Sequence, residues 1–326
     1  MLLVTGGAGF IGSNLVAALN DAGRTDVVVC DTLGSEGKWR NLAKRQLADV
    51  VPPAELGEWL NGRRLDAVLH LGAISETTAV DGDLVIETNF RTSLRLLDWC
   101  TGSATPFIYA SSAATYGDGA QGFVDDPSLA ALKTLRPMNL YGWSKHLFDM
   151  AVAARVERGD KLPPQYVGLK FFNVFGPNEY HKGPMVGVLA RRFDDIKAGR
   201  TIQLFKSHRE GIADGDQRRD FIYVDDIVRV MMWLLASPSV SGLFNVGTGE
   251  ARSFKEMMLA AYAALGATPR IEYVDMPEAI RDSYQYYTKS DVRRLQAAGY
   301  NGGFTSLEDA VADYVRGYLD SADRFR

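Results

Sequence analysis

At 326 residues, with 46% hydrophobic and 23% charged side chains, the chain has the length for one large or two ordinary domains and the make-up of a soluble globular protein. A net charge of −4 excludes a global basic field for nucleic acid, so a polyanion has to be held in a local pocket. Cys30 and Cys100 are too few for a disulfide framework or a metal-ligand set, and no run approaches the roughly 20 apolar residues that cross a bilayer.

The chain opens MLLVTGGAGFIG. Leu2 to Val4 is a strand-like run, and Thr5 to Gly12 interrupts it with Gly6, Gly7, Gly9 and Gly12 before a helical pattern begins at Ser13. A strand, a glycine turn and a helix start make a seat for a diphosphate. Gly6 makes the tight turn, Gly9 lets the backbone approach the pyrophosphate, Gly12 allows close helix-on-strand packing, and the helix's first N–H groups face the anion. Residues 27–30 (VVVC) read as a second strand ending at Asp31, about 20 residues on, where a carboxylate accepts hydrogen bonds from an adenosine ribose. The spacing of the turn is GxxGxxG. The first strand begins at Leu2 and leaves no room for a cleavable leader, so the expectation is a cytoplasmic protein.

Thr32 to Asn41 is a polar loop in which Lys38 and Arg40 can meet a 2′-phosphate. A strand at 66–71 (DAVLHL) is followed by Gly72-Ala73, small enough for a cofactor to cross the backbone. Residues 84–99 have helical periodicity, with Leu94 and Leu97 inward and Asn89 polar within the face. Residues 106–110 (PFIYA) form a strand ending at Ser111-Ser112. Strands alternating with helices predict an α/β fold with a doubly wound parallel sheet and its ligand at the strands' carboxyl ends.

A loop at 117–137 leads to a helix from about Asn139 to Arg158, then a strand at 166–172 (YVGLKFF), Asn173 and the turn Gly176-Pro177. From Asn178 to Arg219 the strand–helix regularity is lost, and the main substrate-binding insertion is placed there. A strand at 219–224, an apolar helix at 225–235 and a strand at 243–246 return to the first domain. Ser253 with Glu256 and Thr305 with Glu308 fit S/T-x-x-E capping boxes, with helices running to about Leu265 and Leu319. Between them, 270–274 reads as a strand and 277–288 as a polar, aromatic-rich loop. The predicted division is 1–175 plus 219–248 for a dinucleotide-binding domain, and 176–218 plus 249–326 for a smaller, largely C-terminal substrate-binding domain.

Tyr141 and Lys145, in YGWSK, share one helix face at i, i+4. A phenol is a poor base at its reference pKa of about 10, and bringing it near neutrality takes about 4 kcal/mol of differential stabilisation. A nearby ammonium and the positive ring of an oxidised nicotinamide are the right kind of source. Ser112, at a strand's carboxyl end, can hydrogen-bond the same substrate oxygen.

The glycine turn, Asp31, Ser112 and YxxxK, in this order and at these separations, resemble the extended short-chain dehydrogenase/reductases over essentially the whole chain. TGGAGFIGSN, YASSAATYG, LYGWSK, FFNVFGPNEYHKG and RDFIYVDD sharpen the resemblance to its nucleotide-sugar epimerases, and EYHKG adds a second candidate base, Lys182. The resemblance implies a Rossmann-like fold and epimerisation at C6 of an ADP-heptose for the lipopolysaccharide core. An alcohol carbon is inverted by removing hydride to a nicotinamide and returning it to the other face of the ketone. Tyr141 and Lys182 are implied as one base per epimer, with Lys145 holding the nicotinamide ribose and supporting Tyr141. A homo-oligomer such as a pentamer is also implied.

For the cofactor, the resemblance implies Phe10, Ile11, Asp31, Thr32, Lys38, Leu71, Gly72, Ala73, Ile74, Ser75, Asn89, Lys145, Val174 and Lys182 in addition to the glycines. For the substrate it implies Asn173, Arg191, Phe205, Lys206, Ser207, His208, Arg219 and Tyr284. Arg191 and Arg219 suit a diphosphate, since a guanidinium offers paired donors to phosphate oxygens. His181 and His208 are read as polar loop residues rather than ligands, and no metal is expected. Pro53 stands where some members carry a basic residue, Pro184 where a serine is expected near the sugar, and the 208–217 stretch is longer than in the shortest members.

Asp31 alone favours NAD, because a carboxylate repels a 2′-phosphate. Lys38 and the resemblance favour NADP, which is the expectation here with NAD as the alternative. A UDP-hexose 4-epimerase would share Ser112, Tyr141 and Lys145 but leaves Lys182 unexplained. A 4,6-dehydratase would need an acid pair after Ser112, where Ala113-Ala114 stand. A silent dinucleotide sensor on the same fold would be marked by loss of Tyr141 or Lys145, and both are present.

Overall fold

Short apolar runs separated by helices fold as parallel strands, because crossover helices then cover both faces of the sheet. The computed structural model describes residues 1–281 and 284–326, the side chains of 279 and 280 excepted. In chain order the strands are β1 (Leu2–Thr5), β2 (Val27–Cys30), β3 (Asp49–Val51), β4 (Ala67–His70), β5 (Phe107–Ser112), β6 (Tyr166–Phe171), β7 (Asn173–Phe175), β8 (Ile202–Phe205), β9 (Arg218–Arg219), β10 (Phe221–Tyr223), β11 (Gly242–Val246), β12 (Arg252–Ser253) and β13 (Ile271–Val274). Seven of them form one parallel sheet in the order β11-β6-β5-β4-β1-β2-β3. The chain winds outward in opposite directions from β1 and β4, so the ligand crevice of a doubly wound sheet lies at their carboxyl ends.

All residues of β1, β2 and β4 are buried, which is why these strands read as unbroken apolar runs rather than alternating ones. Leu2, Val4, Val27 and Val29 pack on one face with the helices Phe10–Asp21 and Val224–Leu235, while Leu3, Val28 and Val68 pack on the other with Leu96, Leu97 and Cys100. A further core joins Leu189 and Phe193 to Met258, Tyr262, Val311 and Tyr314, beneath the parallel pair β8–β13. Leu295 and Tyr300 pack instead with the sheet's first face, so the C-terminal segment contributes to both cores.

Several elements differ from the sequence reading. Phe221–Tyr223 does not join the large sheet but pairs in parallel with β7, opposite Asn173–Phe175. The 178–219 stretch, read as irregular, holds a helix at Val188–Lys197 and the strand β8. The helix read at 84–99 runs from Gly82 to Ser103, with a π-helical stretch at Ile86–Arg91. The Ser253–Glu256 capping box is formed, but the second helix is capped one residue later, by Ser306 accepting from the Asp309 N–H. Thr305 is diverted because its hydroxyl and N–H both donate to Asp226. The loop read at 277–288 includes a helical turn at Glu278–Arg281, and its residues 282 and 283 lie outside the described residues. Among the described residues, no helix is long and apolar enough to cross a membrane.

Candidate active site

The glycine turn closes directly on the loop after β4. Gly6 has φ +66°, and a Cβ there would stand 2.6 Å from the backbone nitrogen of Gly72; at Gly12 a Cβ would stand 2.1 Å from the carbonyl oxygen of Gly6. Only glycine satisfies either position. Gly9 is the N-cap of the helix Phe10–Asp21, without a side-chain cap, so the helix start keeps donors for an anion. A backbone cradle at the switch point of a parallel sheet, with a carboxylate at the next strand end, fits a nicotinamide dinucleotide.

At the adenosine end, Asp31 is buried and accepts the N–H of Ala8 at 2.9 Å. The Lys38 ammonium lies 2.5 Å from its other oxygen and reaches the Thr32 carbonyl at 3.3 Å. Thr32 itself is exposed, as is Ser75; Ile11 and Leu71 to Ile74 are half-buried along the crevice. Asn89, expected to touch the cofactor, is fully buried. Its amide is spent on the N–H and carbonyl of Ile74 and on the Ser144 hydroxyl, at 2.8–2.9 Å. It holds the 71–75 loop, expected beside the cofactor, against the YGWSK helix.

Asn139 caps that helix, Leu140–Arg158, by accepting from the Gly142 N–H. Gly142 is required because a Cβ would stand 2.7 Å from the Ala114 carbonyl oxygen, which brings the helix close to the end of β5. Ser112 ends that strand, its hydroxyl accepting the Ala114 N–H at 3.1 Å. Lys145 is buried and donates to the Ala110 carbonyl at 2.9 Å, and burial brings its ammonium down to about 8 against the opposing pull of Asp149. Burial raises the Tyr141 phenol above its ordinary value, with the Ser112 hydroxyl opposing the rise and Asp149 adding to it. In the protein without cofactor the Lys145 amine is engaged on a carbonyl, and burial dominates the Tyr141 phenol.

The turn Tyr180–Met185 presents Lys182, whose Nζ stands 5.2 Å over the ring of Phe10. Burial holds its ammonium below the ordinary lysine range, with Glu179 opposing. Glu179 is buried under the turn and accepts the Gly187 N–H at 2.7 Å and the Tyr314 hydroxyl at 3.2 Å. Asn41 ties the turn to the glycine loop, donating to the carbonyls of Ala8 and Asn178 at 2.9 and 3.2 Å, with His181 Nδ1 at 3.2 Å. Burial and the charges of Lys38 and Lys182 bring that imidazole down to about 4, so it is neutral near pH 7.

On the substrate side, the buried Arg219 guanidinium lies 5.0 Å from the Tyr284 ring and 5.7 Å from that of Phe254, and Tyr284 meets Phe205 edge-on. Burial lowers the guanidinium pKa, and among the described residues its hydrogen bond goes to the Arg218 carbonyl rather than to a carboxylate. Asn173 and Val174 are half-buried in β7, with Thr288 donating to the Asn173 amide oxygen at 3.3 Å. Lys206 pairs with Asp275 at 3.4 Å, the Ser207 N–H donates to Asp214, and His208 accepts the Met276 N–H. Arg191 is not drawn into this cluster; it is exposed and its guanidinium binds the Pro184 and Val186 carbonyls.

Sequence reasoning missed Asp149, Lys170, Glu179 and Asn41. A visible signal existed for Lys170, a charge inside the apolar strand YVGLKFF, and for Glu179, an acid beside the glycine–proline turn.

The sequence model of the NAD dependent epimerase/dehydratase family matches residues 2–247. A protein of Nitratidesulfovibrio vulgaris (strain DP4) named ADP-L-glycero-D-manno-heptose-6-epimerase is 47% identical over 329 residues, covering 100% of both chains. The crystal structure of the Helicobacter pylori enzyme of that name is similar with a TM-score of 0.79 at 28% identity, over 98% of this chain and 96% of that one. The UDP-glucose 4-epimerase of Thermus thermophilus, in complex with NAD, is similar with a TM-score of 0.73 at 26% identity, over 97% of this chain and 99% of that one.

Proposed function

The chain belongs to the NAD dependent epimerase/dehydratase family, and from that premise we propose that it interconverts ADP-D-glycero-D-manno-heptose and ADP-L-glycero-D-manno-heptose by transient oxidation at C6. The observation that carries this reading is the second desolvated amine, Lys182, set over Phe10 at the helix start that follows the glycine turn. When bound, the nicotinamide dinucleotide supplies a reversible hydride acceptor and donor.

Each epimer presents its C6 hydroxyl from a different side, so one proton acceptor cannot serve both. Tyr141 is assigned to one and Lys182 to the other, each taking the hydroxyl proton during oxidation and returning a proton during reduction. Ser112 donates to the same substrate oxygen beside Tyr141. Lys145 holds the nicotinamide ribose, and with the oxidised ring bound the added positive charge would oppose the burial that raises Tyr141. Arg219 and Tyr284 take the diphosphate and adenine side, where the buried guanidinium offers paired donors to an anion. The dinucleotide assigned is NADP, with Lys38 offsetting Asp31; NAD is the alternative. A cytoplasmic homo-oligomer serving lipopolysaccharide core assembly is the accompanying proposal.

The test is NMR of the purified protein with ADP-D-glycero-D-manno-heptose and, in parallel, UDP-glucose. Conversion of the heptose alone is expected, whereas epimerisation of the UDP-sugar alone would move the activity to a hexose 4-epimerase. Tyr141→Phe and Lys182→Ala should each lower turnover by about 10² or more. Hydride exchange should survive from only one epimer in each variant; survival from both would remove the two-base assignment.

A further inference from the structure

We propose that the buried Lys170–Asp149 ion pair is a positioning device that fixes Ser112 against Tyr141; this rests on the reading of Tyr141 as a proton acceptor and Ser112 as a donor to the same substrate oxygen. Both charged side chains have no exposure, and Nζ lies 2.7 Å from Oδ2. An ion pair this deep is weak evidence for stability, since apolar residues of similar volume often serve a fold as well or better. Its connections point to another role.

Lys170, on β6, stands opposite Ser111 of β5 in the sheet register. The same Asp149 oxygen that faces Lys170 accepts the Ser111 hydroxyl at 2.7 Å. Lys170 also donates to Thr115 Oγ1 at 2.6 Å, and the Thr115 hydroxyl donates to the carbonyl of Ser112 at 2.8 Å. Ser112 is thus bracketed: the pair grips its preceding neighbour through a hydroxyl and its own carbonyl through Thr115.

The pair is fastened to the helix in the same step. Tyr141, Lys145 and Asp149 follow one another at i, i+4 and i+8, so they lie along one face. Lys145 bonds the Ala110 carbonyl at 2.9 Å and Asp149 bonds Ser111, so consecutive turns of the helix are pinned to consecutive residues of the strand that ends in Ser112. The Asp149 charge also reaches Tyr141 and Lys145, so the alignment contribution is isolated at Thr115, which links the pair to Ser112 without carrying a charge. Loss of alignment of a catalytic pair costs turnover more than substrate affinity.

The test uses the cofactor-loaded enzyme and two variants. Lys170→Met/Asp149→Leu removes both charges at similar volume; Thr115→Val keeps the pair and removes its link to Ser112. The double variant should melt close to wild type yet show kcat about tenfold lower or more, with KM changed by less than about threefold. Thr115→Val should lose about threefold or more in kcat at unchanged KM, and it decides alone should the double variant not fold. Wild-type kcat in the deciding variant overturns the proposal. Tyr141→Phe run alongside separates the two readings: full activity there would remove the acid–base assignment and the proposal with it. An inactive Tyr141→Phe beside a fully active Thr115→Val would remove the positioning role alone.

Discussion

Lys38 Nζ lies 2.5 Å from one carboxylate oxygen of Asp31, while the other accepts the N–H of Ala8 in the glycine turn. The carboxylate that would repel a 2′-phosphate is thereby neutralised by a side chain that can itself bind one. Lys38→Ala removes the cation and leaves the carboxylate. Affinity for NADP should fall roughly tenfold or more, in keeping with a charge-assisted hydrogen bond, while affinity for NAD changes little. Titration of the cofactor-stripped protein with each dinucleotide measures the ratio. An equal loss for both would confine Lys38 to holding Asp31.

The close approach of helix and glycine turn sets a second expectation. A Cβ at Gly12 meets the carbonyl oxygen of Gly6 at 2.1 Å, and that oxygen belongs to backbone with no rotamer to yield. Gly12→Ala should destabilise the protein by about 1–3 kcal/mol or more and weaken dinucleotide binding. Gly57→Ala, where nothing lies within 4 Å of the added carbon, is the control and should leave the urea midpoint unchanged or slightly raised. Equal midpoints for the two variants would mean that the turn relaxes freely.

The glycine spacing, the buried parallel strands and the shared face of Tyr141 and Lys145 were legible because each follows from local sequence and helix or strand period. Distance along a helix did not reveal where the Lys145 amine would go, which is to the Ala110 carbonyl, nor that burial would raise the Tyr141 phenol. FIY at 221–223 has the letters of a sheet strand, but its pairing with β7 is decided by long-range register. Thr305 fitted a cap until Asp226, 79 residues away, claimed its hydroxyl. Asn89 was correctly read as polar within a helix face, but its partners on the 71–75 loop are tertiary.

His70 gives an expectation in acid. Ser93 donates its proton to the Asn89 carbonyl, so its oxygen accepts from His70 Nε2–H, and Nδ1 is left to accept from the Thr5 hydroxyl at 2.6 Å. Thr5 in turn accepts the Gly72 N–H, so the neutral ring supports the loop facing the glycine turn. Burial, with the charge of Lys145, brings this imidazole down to about 3. A histidine depressed on folding takes up its proton more readily when unfolded. Its stabilisation is therefore whole above about pH 6.5 and is lost as pH falls toward 3, on the order of 5 kcal/mol in all. Urea unfolding of wild type and His70→Gln between pH 7.5 and about 4 should show the wild type losing stability more steeply. Parallel curves would show that His70 is not desolvated to this degree.

Arg219 separates stability from binding. Its guanidinium is buried between Tyr284 and Phe254, and its hydrogen bond among the described residues goes to the carbonyl of Arg218 at 3.0 Å. A desolvated cation to which the described residues bring no carboxylate is one that an incoming diphosphate would pair with. Arg219→Met keeps the stem packed between the rings and removes the charge. The variant without substrate should therefore melt at the wild-type temperature or above it, while ADP binding weakens by about 10- to 100-fold, the loss of charge-assisted bonds to phosphate. Isothermal titration with ADP and thermal unfolding of the same preparations measure both effects. Lower stability together with unchanged ADP affinity would make Arg219 a packing residue and leave the diphosphate without its assigned cation.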